Sequence, residues 1–223
     1  MKKLTIFLIM LLVSVQATFC QMSGLKGSGK IVTRTFDFQN FETIQLDDLD
    51  GKIEIIAGKS YSISVAIDDN LESLLQVSIK NQTLFMSLYK NENNKRYIEN
   101  ANIKITINVP LLNQLCHNGN SDVFVTDINN ASFSVKSTGN GNVILSGISE
   151  KIEVEKAGNG DVNAGKLMGK EAKIISVGNG NVIVFASETF IAAGTGNGDI
   201  INKGKAKPSA TSKQIGNGEI INN

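Results

Sequence analysis

The residues whose type and spacing could do chemistry are acids that recur at one place in a repeated phrase. Asp122, Asp161 and Asp199 hold the fourth place of that phrase, alternating with Asn142 and Asn181, and Glu219 closes the series. If successive copies stack as strands about 4.8 Å apart, Asp122 and Asp161 lie two rungs, or about 10 Å, from each other. That is near the upper limit of about 9.5 Å for an inverting carboxylate pair, so a carbohydrate-active β-helix enzyme is one reading. The residues around them are Gly, Val and Asn, not the aromatics that line a sugar cleft. A calcium site along the three aspartates would have its oxygens, but nothing in the spacing clusters them.

Other constellations are isolated. His117 is the single histidine of the chain, which excludes histidine-rich metal sites. Cys116 and His117 are neighbours, and neighbours on a strand point to opposite faces, so they cannot form a nucleophile–base pair. The Gly-x-Gly phrases are followed by β-branched residues and lack the strand–turn–helix setting that cradles phosphate. The sequence therefore predicts no catalytic residue, no metal and no cofactor. Candidate binding residues are Tyr97, beside the polar loop Asn91–Arg96, and the three aspartates Asp122, Asp161 and Asp199.

The phrase itself is the positioning element. It begins at Gly119 as Gly-Asn-Ser-Asp-Val and returns as Gly-Asn-Gly-Asx-Val/Ile from Gly139, Gly158, Gly178 and Gly196, then as Gly-Asn-Gly-Glu-Ile from Gly216. The intervals are 20, 19, 20, 18 and 20 residues, the signature of a repeat architecture. Each repeat adds a second alternating stretch, such as Phe133/Val135 or Ile152/Val154, and none shows a helical period. Twenty residues trace about 66 Å of extended chain, one lap of a narrow solenoid, so the pattern predicts an all-β parallel β-helix.

The corners of such laps call for positive φ, which glycine adopts freely and asparagine tolerates. In-register stacking would place Asn120, Asn140, Asn159, Asn179, Asn197 and Asn217 in one vertical ladder of side-chain amides. In the fourth column, carboxylates one rung apart would repel by about 0.9 kcal/mol in water. Alternating Asp with Asn doubles their separation. Glu219 breaks that rule.

Residues 1–20 read as a secretory signal peptide: Lys2 and Lys3, the apolar run Leu4–Val13, then Ala17-Thr18-Phe19-Cys20. Cleavage after Cys20 frees Gln21; acylation of Cys20 is the rival, disfavoured by the bulky Phe19. Removing Lys2 and Lys3 takes the 22 basic residues to 20, against 21 acidic ones. That near-neutral balance argues against nucleic acid or an anionic membrane as the main partner. Cys116 is then the one remaining thiol, so no internal disulfide framework exists. It reads as a small buried apolar residue.

Residues 21–29 read as a flexible lead-in to a single domain over 30–223, with an irregular N-terminal half (30–116) and a repeat half (117–223). Tyr61, Ile63, Val65 and Ile67 alternate as a half-buried strand. Asp68-Asp69-Asn70 followed by Leu71, Leu74 and Leu75 predicts a short helix near residues 69–75. Val77/Ile79 and Leu84/Met86/Leu88 form a hairpin about Asn81-Gln82. Ile103–Val109 is a strand ended by Pro110.

Taken in order, Arg34, Phe36, Phe41-x-x-Ile44, Leu46, Gly58, Val65, Asp68-x-Asn70-Leu71, Pro110-x-Leu112, Leu115 and the Gly-Asn repeats resemble the family described as putative auto-transporter adhesin, head GIN domain, over about residues 30–222. The resemblance implies a right-handed β-helix and an exported location, and it brings no catalytic residues. No translocator barrel is visible in the chain. The expectation is an exported, non-enzymatic β-solenoid binding an envelope or surface glycan or protein. A third reading is a structural envelope protein that self-associates through uncapped solenoid ends.

Overall fold

The computed structural model describes residues 25–88 and 101–222, and the backbone alone of residues 98–99. In its N-terminal half lie β1 (Leu25–Lys26), β2 (Ile31–Phe36), β3 (Thr43–Asp47), β4 (Lys52–Ala57), β5 (Ser62–Asp68), β6 (Leu75–Lys80), β7 (Thr83–Leu88), β8 (Ile98–Glu99), β9 (Ile103–Val109) and β10 (Gln114–Gly119). The repeat half holds four long bent strands, β11 (Asp122–Gly139), β12 (Val143–Gly158), β13 (Val162–Gly178) and β14 (Val182–Gly196). Short strands β15 (Ile200–Asn202), β16 (Lys213–Ile215) and β17 (Ile220–Asn222) follow. Together they make a β-solenoid of about five coils of about 20 residues.

Strict alternation explains the lap. In β12, Val143, Leu145, Ile152 and Val154 point inward while their neighbours face solvent. Each inward residue stacks on its equivalents: Val123, Val143, Val162, Val182 and Ile200 form one buried column, and Phe133, Ile152, Ala172 and Phe190 another. Stacking in parallel register turns these inward side chains into continuous buried columns, and their burial is the main stabilising term.

The solenoid extends into the N-terminal half. On one face β10 pairs in parallel with β3 and β3 with β7; on the other β11 pairs with β4 and β4 with β9. Antiparallel strands then cover this end, β5 on β9, β2 on β5, and β6 on β7 through a tight turn with Asn81 and Gln82 at positive φ. The helix expected near residues 69–75 is a single 3-10 turn, Glu72–Leu74, with no side-chain cap. Asp68, which could have capped it, instead accepts the backbone N–H groups of Gly29 and Asn102, both at 2.7 Å.

Register is continuous through the phrase and the strand before it. It slips elsewhere, between Val125 and Ile128, Ile144 and Ser146, Asn163 and Met168, and Gly169 and Glu171. All of these shifts fall at the bend on the far side of the lap, where intervals of 18, 19 and 20 residues are reconciled.

The second glycine of the phrase is required by close approach. A Cβ on Gly160 would lie 2.1 Å from the carbonyl oxygen of Gly141 one lap below. Replacing Gly160 with Ala must separate two laps at their corner. Chemical denaturation of Gly160→Ala should show a loss of about 2 kcal/mol or more, whereas Ala at Gly29, which has open space around it, should cost about 1 kcal/mol for its positive φ alone.

Candidate functional site

The corner is built from the first glycine upward. Gly119, Gly139, Gly158, Gly178, Gly196 and Gly216 take φ between 117° and 150°. The asparagines that follow do not share the positive φ expected of them; they contribute their amides. Asn140 Nδ2 donates to Asn120 Oδ1 at 3.0 Å, Asn159 to Asn140 at 2.9 Å and Asn179 to Asn159 at 2.7 Å. Asn197 donates to Asn179 at 2.7 Å and Asn217 to Asn197 at 2.8 Å. Every amide is oriented the same way. The column ends on Asp50, whose carboxyl is bonded by Asn120 and whose pKa is raised by burial against the lowering effect of that bond. Asp48–Gly51 is thus a further corner of the same stack, directly below the Gly119 phrase, with Gly51 at φ 88°.

The fourth column has a different task. Asp122 Oδ1 accepts the backbone N–H of Asn142 at 3.1 Å, and Asn142 Oδ1 accepts that of Asp161 at 3.0 Å. Asp161, Asn181 and Asp199 accept the N–H of Asn181, Asp199 and Glu219 at 2.7, 2.8 and 2.9 Å. A side-chain oxygen therefore replaces the carbonyl that the corner geometry has turned away. Asp and Asn both supply that oxygen at the right reach. Glu219, in the uppermost phrase, has no further phrase above it among the described residues to serve. Asp122 and Asp161 are separated by Asn142 in this column, and all three aspartates are held by main-chain amides.

Inside the corner runs a polar column that the sequence reading missed. His117, Ser137, Lys156, Ser176, Gly194 and Gln214 are in register, one per lap. His117 lies between Ser137 Oγ, 3.2 Å from Nδ1, and Ser121 Oγ, 3.0 Å from Nε2. Buried Lys156 donates to the carbonyls of Gly158 at 3.0 Å and Gly180 at 2.6 Å. Burial pulls its pKa below the usual lysine value, and Asp161 opposes that shift. The signal was available: each inward pattern ends two residues before the first glycine in a residue that breaks the apolar run, as in Ile152, Val154, Lys156. Lys156 thereby satisfies two corner carbonyls, and Gln214 Nε2 donates to a third, that of Gly196, at 3.4 Å.

Cys116 sits on the outer side of its strand, half-buried, and is not the buried apolar residue expected. Burial raises its thiol pKa, which disfavours the thiolate. Its neighbour His117 points inward, so the two do not meet. Tyr97, the Asn91–Arg96 loop, the signal segment and Cys20 lie outside the described residues.

A family model described as "Putative auto-transporter adhesin, head GIN domain" matches residues 40–206. The chain belongs to this family. Among solved structures, the head GIN domain is similar to a putative adhesin from Bacteroides fragilis, with TM-score 0.68 and 24% identity over 90% of this chain and 100% of that one. A putative adhesin from Parabacteroides distasonis gives TM-score 0.55 at 18% identity over 90% and 100% of the two chains. A putative lipid binding protein from the same species gives 0.53 at 22% over 89% and 99%. At these identities the likeness establishes the fold alone. None of the curated proteins matches the chain.

Two outcomes test the columns. Asp161→Asn keeps the accepting oxygen and should change stability by less than about 0.5 kcal/mol. Asp161→Ala leaves the Asn181 N–H without its acceptor and should cost about 1–2 kcal/mol, both read from urea unfolding. His117 gives a pH test. Burial lowers its folded pKa below the usual 6.5, more than Asp122 and Asp47 raise it. The folded state then binds fewer protons than the unfolded chain between those two values, so stability present above pH 6.5 falls as the pH drops through that window. The single imidazole C2–H NMR signal should titrate below the usual range, and the stability slope should vanish in His117→Asn.

Proposed function

We propose that this head GIN domain is an exported, non-enzymatic, adhesin-like module that binds a glycan or protein at the cell envelope through the outward side chains of its sheet faces. The observation that carries this reading is the commitment of the fourth-column carboxylates. Asp122, Asp161 and Asp199 each accept a main-chain N–H from the next lap, so the most acidic feature of the repeats is occupied in holding laps together. Each bond uses one carboxylate oxygen, and none of the three aspartates lines the open groove of the lower laps, where a hydrolase would hold substrate against its acid and base. What remains available is a rigid ladder of strands that fixes outward side chains at rungs about 4.8 Å apart, together with membership of a family described as an adhesin.

Self-association is a second reading. Ile175, Val177, Ile191 and Ile215 are 45%, 48%, 38% and 54% exposed on the upper laps of one face, and among the described residues β17 is paired on one edge, with β15. Sedimentation velocity across a concentration series separates it from the first: a concentration-dependent rise in mass supports self-association, and a constant monomer excludes it.

The mature protein, applied to arrays of glycans and of envelope proteins, should bind a restricted set of them. Binding to none at high micromolar concentration would sink the adhesin-like reading. Polysaccharide cleavage lost in Asp161→Asn would replace it with an enzyme. Mass spectrometry of the exported protein should find Gln21 as its first residue; a lipid on Cys20 would make it an anchored protein.

A further inference from the structure

The geometry points to a neutral, hydroxyl-rich glycan as the ligand, held in a groove across the lower laps of one sheet face. The inference rests on the adhesin-like reading and gives it a location. An open groove of about 760 Å³ crosses this face, within the range of about 300–1,000 Å³ usual for ligand clefts. Its floor is one outward column, Thr43, Gln114, Ser134 and Glu153, each on the next strand in register. One wall is the bend carrying Asn113, Asn130 and Ser132, with Leu111 as its apolar element. The ion pair of Lys136 and Glu155, 2.9 Å apart, closes the other side.

Three features select the ligand. The lining is hydroxyl and amide with no aromatic ring, so a sugar is held here by groups that both donate and accept hydrogen bonds and not by stacking, and its one lysine is outnumbered by Glu153 and Glu155, which disfavours an anion. Asn130 Nδ2 donates to the Leu112 carbonyl at 2.7 Å, which fixes this amide as a preorganised part of the groove wall. The strands of the floor leave no edge for a peptide: β10 is paired on both sides by β3 and β11, and the C-terminal stretch of β11 by β10 and β12. A peptide could not add there as a strand, and Leu111 alone does not make the apolar trough that a helix requires.

The test uses the mature protein with cellotetraose, maltotetraose, chitotetraose and a mannan tetrasaccharide. Saturation-transfer NMR detects contact and titration calorimetry gives the affinity. At least one should bind. Gln114→Ala should weaken it about tenfold, the loss expected for one or two hydrogen bonds, and Ser134→Phe, which fills the floor, should abolish it. Both sites face outward, so unchanged melting temperatures are expected. Lys205→Ala, away from the groove, should leave binding intact. Oligosaccharide binding that neither groove variant weakens overturns the groove and leaves the adhesin-like reading standing. Capture of envelope proteins with no response to any sugar does the same. No ligand of any kind overturns both.

Discussion

Contact of glycine with the carbonyl below it is the constraint on which the solenoid depends. At the phrase corner, consecutive laps approach so closely that the Cα of one glycine rests on the oxygen of its equivalent, as Gly180 does on Gly160 and Gly198 on Gly180. No side chain fits in that gap. Once the corner is fixed, the asparagine amides fall within bonding distance, the fourth-position oxygens meet the amide N–H groups above them, and the β-branched residues that follow stack in the core. These are separate interactions with one geometric cause. Surface amide bonds are each worth only about 0.5–1.5 kcal/mol, so the ladder specifies register more than it supplies stability, which comes from the buried columns of Val, Ile, Leu and Phe.

The part of this legible in the sequence is the part governed by period. The repeated Gly-Asn phrase and the alternation of Ile152, Val154 and their equivalents dictate a stacked β-lap, and the laps are there. Two things were hidden. Lys156 and His117 occupy inward positions that alternation assigns to apolar residues; the corner carbonyls of Gly158 and Gly180 explain the lysine, and the hydroxyls of Ser121 and Ser137 the histidine. The acidic bend Asp48–Gly51 shares one glycine and no asparagine with the phrase, so its role as a corner of the stack shows only through its pairing neighbours, β3 beneath β10 and β4 beneath β11. The short helix near residues 69–75 fails for a related reason: Asp68 is engaged by Gly29 and Asn102, and Leu71 is drawn into the core before a full helical turn can form.

The candidate site divides along the same line. Repetition draws attention to the aspartates, yet repetition here reflects architecture, because whatever recurs in every lap serves the stacking. The groove is made of residues that do not recur. Thr43, Gln114, Ser134 and Glu153 share a column and differ in kind, and a solenoid that repeats its corners can vary its outward columns freely. Sequence reasoning that searches for repeated chemistry passes over such a site, since only the register brings Thr43 and Gln114, 71 positions apart, onto adjacent strands.

The register shifts at the far bend have a consequence for how this architecture can change. Residues gained or lost between Val125 and Ile128, or between Asn163 and Met168, are absorbed locally, while the phrase and the strand before it stay aligned. The molecule therefore has one corner that is frozen and one that is permissive. Insertions at the permissive corner can grow into loops of new shape without disturbing the stack, so lineages of this fold can diversify what they display while inheriting an unaltered spine.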